Sequence, residues 1–380
     1  MEVFVNDVAA FLPNSPVDND HIEDVVGSIH GLPSRTKSRI LSNNGIKQRY
    51  YAIDPSTGAL THTNAQLTAS AVRGLLPYPG FTPEEIECLC CGTTMADLLA
   101  PGHGLMVHAE LGSPPCEVIS TSGICLSGIA AFKYAYMNVA LALSDNAVAT
   151  GSELSSAVIR ANFFEHLEGD PDLERQPILG FESDFLRWMI SDAAGAVFLS
   201  RKVHEGQKAL RVDWIDHISY ASRLETCMFA GGLKREDGSI APWRHLNTIR
   251  EALDKNYLAL KQDAALLNRE IVKVAVDWAL AAVIKKRGLK PADVDWFLPH
   301  YSSDFFRDKL YRAMESIGFM IPYEKWFTNL TWKGNTGSAS IYVILEELFH
   351  SDRLRKGEKL LCFIPESGRF SIAYMMLTVV

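Results

Sequence analysis

The chain has 380 residues, of which 47% are hydrophobic and 22% charged. A chain of that length and composition can bury a large core in two or three domain-sized units, which excludes disordered, fibrous and miniprotein classes. Its 37 basic and 45 acidic residues give a net charge of −8, which excludes a sequence-independent attraction to nucleic acid.

Targeting and redox features are sparse. No apolar run is long enough to cross a bilayer, so no membrane association is expected, and the start Met1-Glu-Val-Phe-Val-Asn-Asp carries acids where a signal peptide carries bases. A cytoplasmic location is expected. The seven cysteines, Cys88, Cys90, Cys91, Cys116, Cys125, Cys227 and Cys362, are odd in number and irregularly spaced, so no disulfide framework is expected.

In chain order, Val3 to Val5, Ile86 to Cys91 and Cys116 to Ile119 read as short buried strands. A helix apolar almost all round follows from Cys125 to Leu143, then the strand Ala147 to Thr150 and the turn Gly151-Ser152-Glu153. Ala196 to Leu199 is the next strand. Asp263 to Arg287 reads as one helix, capped by Asp263, with Lys285-Lys286-Arg287 at its negative end and Gly288 as its stop. After the strand Trp296 to Leu298, a second buried helix runs from Asn335 to Phe349. The strand Leu360 to Ile364, the turn Pro365-Glu366-Ser367-Gly368 and the strand Ser371 to Val380 complete the chain.

Strands alternating with helices predict mixed α/β layers around buried sheets. The Cys125 and Asn335 segments share one design of small-residue turn, buried helix, buried strand and glycine turn. A helix apolar on nearly every face must lie between layers. Two copies therefore predict two similar halves, 1–205 and 206–380, stacking their central helices in a five-layered duplicated fold.

Cys125 ends the glycine-flanked turn Thr121-Ser-Gly-Ile-Cys and opens the first buried helix. Backbone N–H groups and the positive helix end favour a thiolate there. The alternative is a small residue filling a helix contact. His300 lies where an apolar strand emerges into a loop, a place for a catalytic imidazole or for a structural histidine. Asn335 reads as a helix N-cap that can also offer its amide NH2 to an enolate oxygen. Glu153 follows the strand that returns from the Cys125 helix, as a base facing the same cavity or as a structural acid. His103 and His108 have no third ligand at metal spacing, so no metal site is expected.

Thr121 to Gly128, Gly151-Ser-Glu153, Asp192-Ala-Ala-Gly-Ala-Val-Phe-Leu199, Phe297-Leu-Pro-His300 and Lys333-Gly-Asn-Thr-Gly-Ser-Ala-Ser-Ile341 occur in the order and rough spacing of one family. Along nearly its whole length the chain resembles the thiolase-fold β-ketoacyl-ACP synthase III family, and Gly45-Ile-Lys-Gln-Arg-Tyr50 is similar to that family's early turn. The resemblance implies a thiolase-like αβαβα fold and an acyltransferase with Cys125 as acyl acceptor. It assigns decarboxylation and carbanion formation to His300 and Asn335, and an oxyanion hole to the N–H groups of Cys125 and Gly368. It implies no metal or redox cofactor, acyl-carrier-protein or CoA thioesters as partners, and a homodimer. Arg187, Lys234, Arg235, Arg244, Arg307 and Lys309 are the candidates for contact with the carrier or CoA.

The sequence departs from the family pattern. Tyr-Ser-Ser follows His300 where Gln-Ala-Asn is commoner, Trp332-Lys333 precedes Gly334, and Glu366-Ser-Gly-Arg-Phe replaces a richer glycine cluster. Together with a long insert at 154–191 and Glu153, this resembles the ketosynthase/cyclases that make dialkylresorcinol or stilbene precursors. The expected reaction is a decarboxylating Claisen condensation followed by cyclisation to a cyclohexanedione or dialkylresorcinol precursor. The alternatives are a chain-initiating or head-to-head condensation giving a linear β-keto product, and an acyl transferase on the same scaffold.

Overall fold

The computed structural model describes residues 1–29, 34, 36–167, 185–204 and 206–380. Nine strands form one hydrogen-bonded run: β1 (Phe4–Phe11), β2 (Cys88–Thr93), β3 (Glu117–Ser122), β4 (Asn146–Glu153), β5 (Ala193–Ser200), β6 (Leu210–Ser219), β7 (Trp296–Pro299), β8 (Lys359–Pro365) and β9 (Ser371–Val379). Their order is β7-β8-β9-β6-β1-β5-β4-β2-β3.

One pattern appears at both ends of this order. β2 and β4 pair parallel, then β5 and β1 continue antiparallel. β7 and β8 likewise pair parallel, then β9 and β6 continue antiparallel. The two sets meet where Phe4 and Val5 pair with Arg211 and Leu210.

The six helices that matter here are α1 (Asn64–Arg73), α2 (His103–Leu111), α3 (Leu126–Ala140), α4 (Ala264–Lys273), α5 (Arg307–Ser316) and α6 (Ser340–Phe349). Side chains alternate across a strand, so each sheet face has its own helix layer. Cys88, Cys90, Ala147 and Ala149 join α3 and α6 in a core that also takes Leu360, Cys362, Met375 and Leu377 from the other strand set. The opposite faces pack outward, Leu89, Cys91 and Val148 with α1, and Leu361, Phe363 and Tyr374 with α4 and α5. The result is five layers, with α3 and α6 in the middle. Each fully buried leucine there, such as Leu345 or Leu348, contributes roughly 2 kcal/mol.

Close packing at the centre depends on two glycines. A Cβ at Gly128 on α3 or at Gly151 on β4 would lie 2.3 Å from the Ser338 carbonyl oxygen. The turn before α6 reaches α3 and β4 because neither position carries a side chain.

Several predicted elements shift. Gly151, Ser152 and Glu153 belong to β4 rather than to a turn, because Gly151 pairs with Gly92 on one side and Gly195 on the other. α3 stops at Ala140, where Ala142 takes a left-handed φ of 57°. Asp263 caps α4 through the Leu266 N–H at 2.9 Å, as expected. The helix then runs as a π-helix over Val274–Leu280 before α geometry resumes to Arg287 and Gly288 stops it. Asn335 is not a helix cap: Gly337–Ala339 form a 3₁₀ turn after Thr336, and α6 starts only at Ser340. Residues 168–184, the middle of the 154–191 insert, lie outside the described residues. Among the described residues, no helix is long and apolar enough to cross a membrane.

Candidate active site

The turn before α3 presents Cys125. Thr121 Oγ1 donates to the Ser127 carbonyl at 2.7 Å, and Ser127 Oγ donates to the Ile124 carbonyl at 2.8 Å, so the 121–127 loop is tied down on both sides of the thiol. Cys125 is buried at the helix mouth. It lines a small cavity, partly open to solvent, together with His300. The other walls are mostly apolar: Leu267, Ile271, Val272 and Ala275 from α4 and its π-helical continuation, Phe306 and Leu310 around α5, and Phe363 and Pro365 from β8. Tyr301, Ser302 and Ser367 complete the lining.

The structure puts Cys125 at the mouth of α3, and its surroundings there oppose the thiolate that the helix end favours. Burial pushes the thiol above its usual range, and the carboxyl groups of Glu153 and Glu366 push the same way. Its own backbone N–H opposes them only weakly. Burial thus favours the neutral thiol, whose proton leaves as the sulfur attacks.

His300 follows β7 directly, and its N–H donates to the Phe363 carbonyl at 2.8 Å, continuing the register with β8. Burial pushes the imidazole down to about 4, so it is neutral at physiological pH. A neutral ring carries one N–H to donate.

Glu153 is the last residue of β4. Its Oε1 accepts from Thr94 Oγ1 at 2.5 Å and from the Ser338 N–H at 3.1 Å. Those bonds favour the anion, but burial is the larger effect and pushes the carboxyl up to about 7. At physiological pH it is present in both protonation states.

Asn335 lies three residues before Ser338. Its backbone exchanges bonds with Met189 and Ser191, and its Oδ1 accepts the Gly337 N–H at 3.1 Å. That orients the amide, and among the described residues no hydrogen bond ends on its Nδ2. The Gly337 backbone lies against Glu153, since a Cβ there would be 2.8 Å from Glu153 Cγ. Cys125 and His300 share the cavity wall, whereas Asn335 and Glu153, joined through the 335–338 turn, are not among its lining residues.

Gly368 lies against the loop before Cys125, where a Cβ would be 2.7 Å from Ile124 Cγ1. Its carbonyl accepts from Cys227 at 2.8 Å and its N–H faces the Glu366 carboxyl, while Ser367 lines the cavity.

The basic candidates separate by burial. Arg187 is 2% exposed, with its guanidinium donating to the carbonyls of Ile159, Val26 and Gly27, so it is a structural strut and no surface contact. Lys234 is held between Asp263 at 2.8 Å and Glu225 at 2.9 Å. Arg235 and Arg244 are exposed on the 228–245 segment. Arg307 and Lys309 lie in the chain between Phe306 and Leu310 of the cavity wall, with Arg307 stacked on Tyr323 and Lys309 bonded to Asn268 at 2.8 Å.

Sequence reasoning missed Thr94, Ser338 and Glu366. Thr94 and Ser338 act on Glu153 from 59 and 185 residues away, so no local pattern marks them. Glu366 carried a signal, a carboxyl in a turn of small residues, that only its burial makes meaningful.

Residues 284–368 match the family profile of the 3-oxoacyl-[acyl-carrier-protein] synthase III C terminal. The β-ketoacyl-[acyl-carrier-protein] synthase III of Hyphomonas neptunium is 25% identical over 358 residues, covering 94% of this chain and 93% of that one. The enzyme of the same name from Symbiobacterium thermophilum is 27% identical over 348 residues, covering 88% and 92%.

Among solved structures, Xanthomonas campestris OleA with bound lauric acid and lauroyl-CoA superposes with a TM-score of 0.75 at 18% identity, covering 100% of this chain and 99% of that one. The tetronic acid condensing enzyme AbyA1 gives 0.74 at 19%, covering 99% of each. The 3-oxoacyl-[acyl-carrier-protein] synthase III of Aquifex aeolicus gives 0.69 at 20%, again covering 99% of each. The fold is the thiolase-like fold of these enzymes, and along nearly its whole length the chain is similar to the β-ketoacyl-[acyl-carrier-protein] synthase III enzymes.

Proposed function

We propose that the protein catalyses a decarboxylating Claisen condensation of acyl or β-ketoacyl thioesters through a Cys125 acyl-enzyme, followed by cyclisation to a cyclohexanedione-type, dialkylresorcinol-forming precursor. The observation that carries this reading is the meeting of Cys125 and His300 on one largely apolar cavity, with the Glu153 carboxyl buried beside the thiol. Cys125 takes the first acyl group, and the apolar walls hold its chain. Loss of CO2 from the second thioester leaves an enolate, and the neutral His300 N–H and the Asn335 amide donate to its oxygen. The enolate carbon attacks the Cys125 thioester. Glu153 then takes a proton from an acidic methylene to start ring closure, a role suited to a carboxyl poised near neutrality. The chemistry calls on no metal or redox cofactor.

Thioesters arrive on an acyl carrier protein or CoA, with Arg307 and Lys309 beside the cavity and Arg235 and Arg244 as further candidate contacts. A second copy of the chain pairs along the open edge of β3, where α2 leaves Leu105 exposed and Leu98 and Leu99 also face solvent. The setting is the cytoplasm.

The likeness to OleA holding lauroyl-CoA favours one second reading, a head-to-head condensation that ends at a linear β-keto product. Incubation of purified protein with acyl and β-ketoacyl thioesters, with products identified by mass spectrometry, decides between them. A cyclic product supports the first reading, a linear one the second, and free acid alone removes both.

A further inference from the structure

Glu366 is a second carboxyl group beside Cys125, and the steps above give it no task. It follows β8 directly and is 7% exposed. Its Oε2 accepts the N–H groups of Ser371 at 3.1 Å and Arg369 at 3.3 Å. The Gly368 N–H faces the same carboxyl, and the Glu366 N–H closes the turn on the Ser371 carbonyl at 2.8 Å. One side chain thus organises the N–H groups of a whole turn.

That turn abuts the nucleophile. A Cβ at Gly368 would lie 2.0 Å from Glu366 Oε1 and 2.7 Å from Ile124 Cγ1, the residue before Cys125. The Gly368 carbonyl is taken by the N–H groups of Cys227 and Met228. The Gly368 N–H acts on the Glu366 carboxyl, and Gly368 is not among the residues that line the cavity. Ser367 is the member of the turn that reaches the cavity beside Cys125. Its hydroxyl is turned to Met228 Sδ at 3.5 Å, and among the described residues no hydrogen bond engages its N–H.

We propose that Glu366 is a positioning residue for acylation of Cys125: by gathering the N–H groups of the 368–371 turn it holds the Ser367 N–H toward the acyl carbonyl oxygen, opposite the Cys125 N–H. The inference rests on Cys125 being the acyl acceptor. In that step a C–S bond forms from Cys125 Sγ to the thioester carbon, and the C–S bond to the carrier breaks. The Cys125 proton goes to the departing carrier thiolate. Between the two events the carbonyl oxygen bears a full negative charge, and two fixed N–H donors hold it against the largely apolar cavity wall. Loss of one such donor typically slows the step by about 100-fold or more.

The test compares two reactions of Cys125 that differ in this need. Loading from a panel of acetyl to dodecanoyl CoA thioesters, followed by intact-protein mass spectrometry, passes through an oxyanion. Alkylation by iodoacetamide at alkaline pH does not. Glu366→Ala is expected to load about 100-fold more slowly and to alkylate no more slowly than wild type. Glu366→Gln, which keeps an acceptor oxygen, is expected to load within about 5-fold of wild type, a much smaller effect than loss of a donor. Ser367→Pro deletes the proposed N–H itself and is expected to reproduce the loading defect with alkylation intact.

Wild-type loading by Ser367→Pro or Glu366→Ala overturns the inference. So does a parallel fall of loading and alkylation, which marks a structural role, and so does a Gln variant as slow as Ala. A wild-type protein that loads from none of the thioesters removes the underlying reading as well, and that outcome is distinct from wild-type loading that the variants leave untouched.

Discussion

The Ser338 N–H donates to Glu153 Oε1 at 3.1 Å, so the turn that opens α6 and the last residue of β4, 185 positions apart, share one carboxyl group. The contact exists because Gly128 and Gly151 let the Ser338 backbone approach, and Thr94 completes it from the other side. Burial then outweighs these bonds and leaves the carboxyl at about 7. A group so placed holds or releases a proton within the ordinary working pH.

Glu153→Gln is expected to load Cys125 but to lose the cyclised product, releasing linear or pyrone-type products. In the wild type the cyclised share rises as pH passes through about 7, since the base must be ionised. Stability runs the other way. The folded carboxyl binds its proton more tightly than the unfolded one, so its contribution is full below 4.5 and falls as pH rises to about 7, by about 3 kcal/mol. Denaturant midpoints at about pH 5 and about pH 8 should therefore converge in Glu153→Gln. An unchanged cyclic product from this variant would return Glu153 to a structural role.

Cys125→Ala and Cys125→Ser are expected to abolish condensation, measured as product formation by mass spectrometry. Because burial and two carboxyl groups keep the sulfur protonated, iodoacetamide should label the partly exposed Cys116 before Cys125 at neutral pH. Glu153→Gln removes one of those charges and should speed labelling of Cys125. Faster labelling of Cys125 than of Cys116 in the wild type would show a preformed thiolate.

His300→Ala and Asn335→Ala are expected to leave loading of Cys125 largely intact while suppressing CO2 release by about 100-fold, the usual effect of deleting an oxyanion donor. The imidazole is already neutral above about 4, so decarboxylation should show no acid limb near 6.5. Trapped CO2 and intact-protein mass spectrometry separate the two steps. Loss of loading in both variants would point instead to a hydrolase-like Cys/His pair.

What was legible in the sequence was what local pattern encodes. Buried helices and strands around Cys125 and Asn335 announced the layered architecture, because an all-apolar helix has nowhere else to sit. The Thr121–Gly128 and Phe297–His300 turns pointed to a thiol and an imidazole that the fold brings to one cavity. The protonation state of Cys125 was not legible, since it depends on desolvation and on carboxyl groups at 153 and 366 that meet it only in the fold. Arg187 illustrates the same limit. Its charge reads as surface, but three carbonyls from distant segments hold it inside.

The last expectation concerns delivery of the substrate. Arg307 and Lys309 lie in the chain between Phe306 and Leu310, two residues of the cavity wall, whereas Lys234 is already neutralised by Asp263 and Glu225. Lys309 Nζ also lies 3.8 Å over the exposed Phe305 ring, so cation and apolar surface adjoin at the cavity edge. An acidic carrier protein would gain from these charges during docking, a contribution that falls with salt, while a small thioester lacking the carrier would not. Charge reversal in Arg307→Glu combined with Lys309→Glu is expected to raise KM for a carrier-bound substrate about 10-fold at low salt, the effect shrinking at high salt. Turnover of N-acetylcysteamine thioesters should stay unchanged. Equal losses with both substrates would assign these residues to the cavity's structure, and no loss with either would move the docking surface to Arg235 and Arg244.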